Sequence, residues 1–172
     1  MTQLSVFIAT SIDGYIADEG GSLDWLESAA RPDEDYGFQA FIETVDALAM
    51  GRGTYDHIAY LDPLPFGDRE VYVFTHNPPP ARPGVTFLEA SPRAALALWE
   101  SAGLGRVYVD GGALISAFLA ESLIDDMLLT TAPILLGAGR PLFHPIAASA
   151  PMELVDVQSW PSGFVNRTYR RR

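Results

Sequence analysis

Twice in this chain an apolar run breaks at glycine and restarts as a helix-like stretch. Val45-Asp46-Ala47-Leu48-Ala49-Met50 leads into Gly51-Arg52-Gly53-Thr54-Tyr55, and Arg106-Val107-Tyr108-Val109-Asp110 leads into Gly111-Gly112-Ala113-Leu114-Ile115. A buried strand that restarts as a helix leaves free N–H groups at the helix N-terminus, and these, with the helix dipole, favour an anion such as a phosphate. Glycine permits close approach of the backbone. Arg52 can add a charged fork and Thr54 a hydroxyl. Two such turns on one sheet suggest a ligand with more than one phosphate, such as a dinucleotide, although ordinary strand–helix turns are punctuated by glycine in the same way.

The rest of the chain extends this alternation. Leu4 to Thr10 reads as a buried strand, with Asp13-Gly14 as the turn after it. Arg31-Pro32-Asp33-Glu34-Asp35 reads as a helix start, and Phe38, Phe41, Ile42 and Val45 fall on one helical face. Strands are predicted at Ala47 to Met50, Glu70 to Thr75, Val85 to Leu88 and Val107 to Asp110. Helices are predicted at Thr54 to Ala59, from Ser91-Pro92 to a stop at Gly103, and at Ala113 to Leu123. The last third reads as strands alone: Asp126 to Ala132, Met152 to Gln158 and Phe164 to Arg170. The expected architecture is α/β, a three-layer α/β/α domain over residues 1–172. Its central sheet is mostly parallel and ends in antiparallel strands. Ligands on such sheets bind beyond the carboxyl ends of the strands. That rim collects Ser11 to Gly14, Gly51 to Tyr55, Thr75 to Asn77 and Asp110 to Ala113.

Composition excludes several classes. The 172 residues carry a net charge of -11, which disfavours nucleic-acid binding. No lysine is present, so a Schiff-base lysine and a lysine-containing P-loop are excluded. The absence of cysteine removes disulfides, thiolate metal sites and a cysteine nucleophile, and fits a cytoplasmic protein. No apolar run approaches the ~20 residues that span a bilayer, and no basic leader precedes the first strand. His57, His76 and His144 match no metal spacing, so no metal is expected. No serine has a histidine and acid arrangement suited to hydrolysis.

Asp13-Gly14-Tyr15-Ile16-Ala17, Met50-Gly51-Arg52-Gly53-Thr54-Tyr55, Val109-Asp110-Gly111-Gly112 and Ala132-Pro133-Ile134-Leu135-Leu136-Gly137-Ala138-Gly139-Arg140-Pro141-Leu142-Phe143 occur in an order and spacing that resemble the dihydrofolate reductase superfamily. The most similar branch is the bacterial group like the C-terminal reductase domain of bifunctional riboflavin-biosynthesis proteins. The resemblance implies NADPH-dependent hydride transfer to a C=N or C=O bond of a small pterin- or pyrimidine-like molecule, either dihydrofolate reductase-like or 5-amino-6-(5-phosphoribosylamino)uracil reductase-like.

By the same resemblance Gly51, Arg52 and Thr54 hold cofactor phosphate, and Gly111 and Gly112 lie under the pyrophosphate. Thr75, His76 and Asn77 meet the adenosine 2′-phosphate, while Asp110 and Ala113 flank the double glycine at the cofactor. Asp35 lies at the spacing of the carboxylate that grips the pteridine ring, within a run of three acids that leaves a one-residue slip open. Trp25 resembles the active-site tryptophan, although a core tryptophan reads the same. Asp35 and then Asp13 are the candidate proton donors, against plain capping or turn-forming roles. A homodimer is implied through the apolar C-terminal strands and the Pro133 to Phe143 segment. The alternative is a non-catalytic nucleotide-binding module or sensor on the same fold.

Overall fold

A computed structural model describes residues 1–147 and 149–172. The elements are β1 (Gln3–Thr10), β2 (Tyr15–Ala17), α1 (Asp24–Ala29), α2 (Phe38–Ile42), β3 (Ala47–Gly51), α3 (Arg52–Ile58), β4 (Glu70–Phe74) and β5 (Val85–Leu88). There follow α4 (Pro92–Ser101), β6 (Arg106–Asp110), α5 (Gly112–Ala120), β7 (Asp126–Thr131), β8 (Arg140–Pro141), β9 (Met152–Ser159) and β10 (Val165–Arg171).

Eight strands form one sheet in the order β5-β4-β3-β6-β1-β7-β10-β9. The pairs from β5 to β7 are parallel, and β10 pairs antiparallel with both β7 and β9. The expected α/β class, with a mostly parallel sheet closed by antiparallel strands, is the one observed.

Alternation along the strands sorts side chains to two covered faces. Leu4, Val6, Ala47, Ala49, Val107 and Val109 point to the face packed by α4 and α5 through Trp99, Ile115 and Phe118. Phe7, Leu48, Met50 and Tyr108 point to the other, where α2 and α3 add Phe41, Ile42 and Tyr55. Both faces being buried explains why these strands read as continuous apolar runs. Helix α4 follows its capping logic: Ser91 Oγ accepts from Ala94 N–H at 3.3 Å, Pro92 opens the helix, and Gly103 takes φ +74° after its end.

Two sequence expectations need correction. The helix expected from the Arg31–Asp35 segment begins only at Phe38, because Tyr36 (φ +55°) and Gly37 (φ +83°) turn the chain first. It also ends at Ile42, so Val45 joins the same apolar cluster from beyond the helix. The second departure is a small sheet in which β2 pairs antiparallel with β8, bringing Pro141 and Leu142 over the start of α5. No strand signal marks that two-residue element in the sequence. Among the described residues, no helix is long and apolar enough to cross a membrane.

Candidate active site

The strand ends of β1, β3 and β6 open onto a cavity of about 570 Å³. Its floor is Phe7 to Ala9, Tyr108 and Asp110. One wall is the β3–α3 turn with Gly51, Gly53 and Thr54, continued by His57 and Ile58. Beside that turn, Gly111 to Leu114 continue the lining. Ile16 and Ala17 of β2, Leu23 and Leu26 around α1, and Arg140, Pro141 and His144 complete the enclosure.

The two glycine turns meet at this cavity. A Cβ on Gly111 would lie 2.7 Å from Thr54 Oγ1, and its φ of +94° favours glycine in any case. A Cβ on Gly112 would lie 2.7 Å from the carbonyl oxygens of both Pro141 and Leu142, so α5 can start only where the β8 segment passes if residue 112 is glycine. Gly51 and Gly53 differ: a Cβ on either would meet nothing within 4 Å, so that turn presents open space to the cavity. The first-turn N–H groups of α5, at Gly112 to Leu114, have no carbonyl of their own helix to bond. An open glycine turn facing first-turn N–H groups suits a phosphate group.

Asp110 is the cavity's only carboxylate side chain among the described residues. Burial pushes its pKa up to about 6, against the opposing pull of the Gly111 N–H, which donates to Oδ1 at 2.8 Å. The Tyr108 hydroxyl donates to the Phe7 carbonyl at 2.7 Å, and burial first, with the Asp110 charge second, holds its pKa well above the ordinary phenol value. Tyr108 is therefore not an acid near neutral pH, whereas Asp110 retains a proton in part of its population there.

The other expected carboxylates are engaged elsewhere. Asp35 is corrected from a ligand-facing acid to a capping residue: Oδ1 accepts from Gly37 N–H and Oδ2 from Gln39 N–H, both at 3.1 Å, and it does not line the cavity. Asp13 is corrected likewise. It accepts from Ser11 Oγ at 2.6 Å, Gly137 N–H at 2.7 Å and Leu136 N–H at 3.2 Å, tying the β1–β2 turn to the 136–137 loop. The Ser11 hydrogen bond, then burial in opposition, then the two loop N–H groups leave its pKa below the usual carboxylate value, so it holds no proton to give near neutrality.

Trp25 is also displaced from the expected role. It is buried against Ala132 and Phe164 in a separate small cluster, while its neighbours Leu23 and Leu26 reach the cavity. Of the expected cofactor residues, Gly51, Thr54, Asp110, Gly111, Gly112 and Ala113 line the cavity. Arg52, Thr75, His76 and Asn77 lie outside its lining. Arg52 bonds Asp56 through Nε and the Asn77 carbonyl through Nη1, both at 2.7 Å, and His76 Nδ1 sits 2.9 Å from Glu89. Sequence reading misses the apolar lining by Ile16, Leu23, Leu26 and Ile58, and the exposed Arg140, His57 and His144 beside it. The Gly139-Arg140-Pro141 step lies within a recognised segment, but its approach to the cavity depends on the β2–β8 pairing.

The sequence and the fold are shared with known proteins. The family model of the RibD C-terminal domain matches residues 67–165. The uncharacterized Bacillus subtilis protein YwjB is 38% identical over 152 residues, covering 87% of each chain. A crystal structure of a Shewanella sp. PV-4 protein assigned to riboflavin biosynthesis superposes with a TM-score of 0.91 at 37% identity, covering 99% of both chains. An Enterococcus faecalis dihydrofolate reductase solved with NADP(H) has the same fold, with a TM-score of 0.69 at 21% identity over 99% of this chain and 96% of that one. The protein thus has a reductase-type fold, and the chain belongs to the RibD C-terminal domain family.

Proposed function

We propose that this chain is an NADPH-dependent reductase acting as a single domain over residues 1–172, and that it reduces a C=N or C=O bond of a small planar molecule. The observation that carries this reading is the meeting of two glycine turns at a cavity that contains one raised carboxyl. The residues present fit the cofactor: the open space at Gly51 and Gly53 and the first turn of α5 would receive its phosphates. The Enterococcus reductase of the same fold, solved with NADP(H), supports the choice.

NADPH, when bound, supplies a hydride. The chain's residues do the remainder. Thr54 and the glycine turns orient the phosphates, and the apolar wall excludes water and holds the acceptor flat. Asp110 delivers a proton to the heteroatom of the reduced bond, in the role expected of Asp35 and Asp13. Arg52, held by Asp56 and Asn77, lies outside the cavity lining on the same rim as Thr75 and His76, where a 2′-phosphate would favour NADPH over NADH.

Calorimetric titration of the purified protein with NADPH and NADH separately tests the cofactor. Micromolar NADPH binding, tighter than NADH, is expected. No heat with either dinucleotide would make both turns purely structural and remove the reading.

We further propose a cytoplasmic homodimer, on the acidic, cysteine-free composition and on the exposed edge of the sheet. Strand β9 is that edge, and it leaves Leu154, Val155 and Val157 52%, 46% and 54% exposed beside an unpaired row of backbone groups. Light scattering should give twice the 18.7 kDa chain mass. In the Val155→Glu/Val157→Glu double variant it should give the single mass. A wild-type monomer at micromolar concentration would exclude the dimer.

A further inference from the structure

Most of the side chains that line the cavity are apolar. Phe7, Ile8 and Ala9 of β1 line it together with Ile16, Leu26 and Ile58. Its polar side chains are few. Thr54 stands against Gly111 on the side of the glycine turns. The Tyr108 proton is already placed on the Phe7 carbonyl. Among the described residues, no side-chain amide and no carboxyl other than Asp110 lines the space. Asp35, the group expected to grip a protonated ring, is used up at the start of α2. The side chains of Arg140, His57 and His144 also line the cavity and are exposed.

A pterin or aminopyrimidine carries donors and acceptors around most of its ring edge. Buried here, those edge groups would outnumber the side-chain partners that the lining offers, and each unpaired one weakens binding by about tenfold or more. An aromatic or conjugated carbonyl compound presents one polar atom on an otherwise apolar plane, which matches one acid in an apolar slot.

We propose that the acceptor is an apolar aromatic or conjugated aldehyde or ketone, reduced to its alcohol in this cavity; the proposal rests on the NADPH-dependent reductase reading above. The C=O π bond breaks and the carbonyl carbon gains a hydride from the reduced nicotinamide, leaving NADP⁺. The oxygen takes the Asp110 proton, and water at the mouth restores that proton. One hydride and one proton are consumed per alcohol formed.

The test uses the full chain with NADPH binding measured first. With the cofactor site saturated, trans-cinnamaldehyde and 1-indanone are compared with 7,8-dihydrobiopterin and 5,6-diaminouracil, using ligand-observed NMR for affinity and mass spectrometry for product. The carbonyl compounds should bind at least tenfold tighter than the heterocycles, and the cinnamyl alcohol formed should carry deuterium from 4-deuterated NADPH. Tighter binding or faster reduction of either heterocycle overturns the acceptor class while leaving the reductase reading intact, as does NADPH binding with no affinity for either carbonyl compound. Failure to bind NADPH overturns both, and the first titration separates that outcome from the others.

Leu23 lines the cavity and is 39% exposed, so Leu23→Asp should fold. It should weaken cinnamaldehyde binding about tenfold, through lost apolar contact, with NADPH affinity and melting temperature unchanged. Unchanged cinnamaldehyde affinity would place the acceptor outside the cavity and overturn the proposal.

Discussion

Asp110→Asn should all but abolish turnover and, at pH 8, raise the melting temperature. Both effects follow from one carboxyl. The folded protein pushes the Asp110 pKa from an ordinary 3.8 up to about 6, chiefly by burial. A raised acid binds its proton more tightly in the native than in the unfolded state. Stability therefore falls as pH rises from about 4 to 6 and stays lowered above that.

Two pKa units correspond to about 3 kcal/mol, and solvent reaching the partly exposed side chain reduces this to about 1–2 kcal/mol. For a chain of this size the amide should raise the melting temperature at pH 8 by about 3–6 °C. At pH 3 or below, where the carboxyl is protonated folded and unfolded, the two proteins should melt within about a degree of each other. The side-chain oxygen of the introduced amide can still accept from the Gly111 N–H, so the turn is retained. Catalysis responds oppositely: removal of a general acid costs about 10²–10⁴-fold. Wild-type kcat/KM should fall about tenfold per pH unit above about 6, a limb that the variant lacks. Wild-type turnover in the variant would remove Asp110 from the mechanism, and a melting-temperature difference between the two proteins that does not change with pH would contradict its raised pKa. Turnover of NADPH in the wild type also separates the enzyme from a nucleotide-binding sensor on the same fold.

The scaffold is more legible in the sequence than the chemistry placed on it. Strands β3 and β6 are legible because burial on both faces makes them continuously apolar, and the glycines that end them reflect a local backbone need. For Gly111 that need is a φ of +94°; for Gly112 it is the carbonyls of Pro141 and Leu142 at 2.7 Å from where a Cβ would be. The acids are harder to place, because several short carboxylates in turns look alike in sequence. Asp13 and Asp35 stand out there, yet both use their oxygens on nearby N–H groups: Asp35 on Gly37 and Gln39, and Asp13 on Leu136 and Gly137. For Asp13 those loop partners lie 123 and 124 residues away, which no local pattern encodes. Asp110 reads as a strand-end residue of the cofactor turn, since its raised pKa comes from burial assembled by several strands. Trp25 is the right residue type, but α1 turns it into the cluster with Phe164 and gives the cavity Leu23 and Leu26 instead. The apolar slot is invisible for the same reason: Ile16 and Ile58 come from elements that meet only in the folded chain.

Gly53→Ala should make the protein more stable and NADPH binding weaker. At most positions a steric mutation at a ligand turn also damages the fold, so lost binding carries little information. Gly112 is such a case, because its Cβ would strike backbone that cannot retreat cheaply. Gly53 lies in the first turn of α3, where a Cβ would meet no atom within 4 Å beyond its own turn of helix, and its φ is not in the left-handed region. Alanine there loses less backbone entropy on folding, a gain of about 0.5–1 kcal/mol, or about 1–4 °C in melting temperature. The added methyl occupies the space through which a phosphate would reach the turn's N–H groups. Dissociation of NADPH should therefore become at least about tenfold more favourable, the equivalent of one lost charge-assisted hydrogen bond. A stabilised variant with unaltered NADPH affinity would show that the open space at the β3–α3 turn receives no phosphate, whatever the family resemblance implies. A stabilised variant that has lost NADPH would locate the phosphate at a turn whose glycine the fold itself does not require.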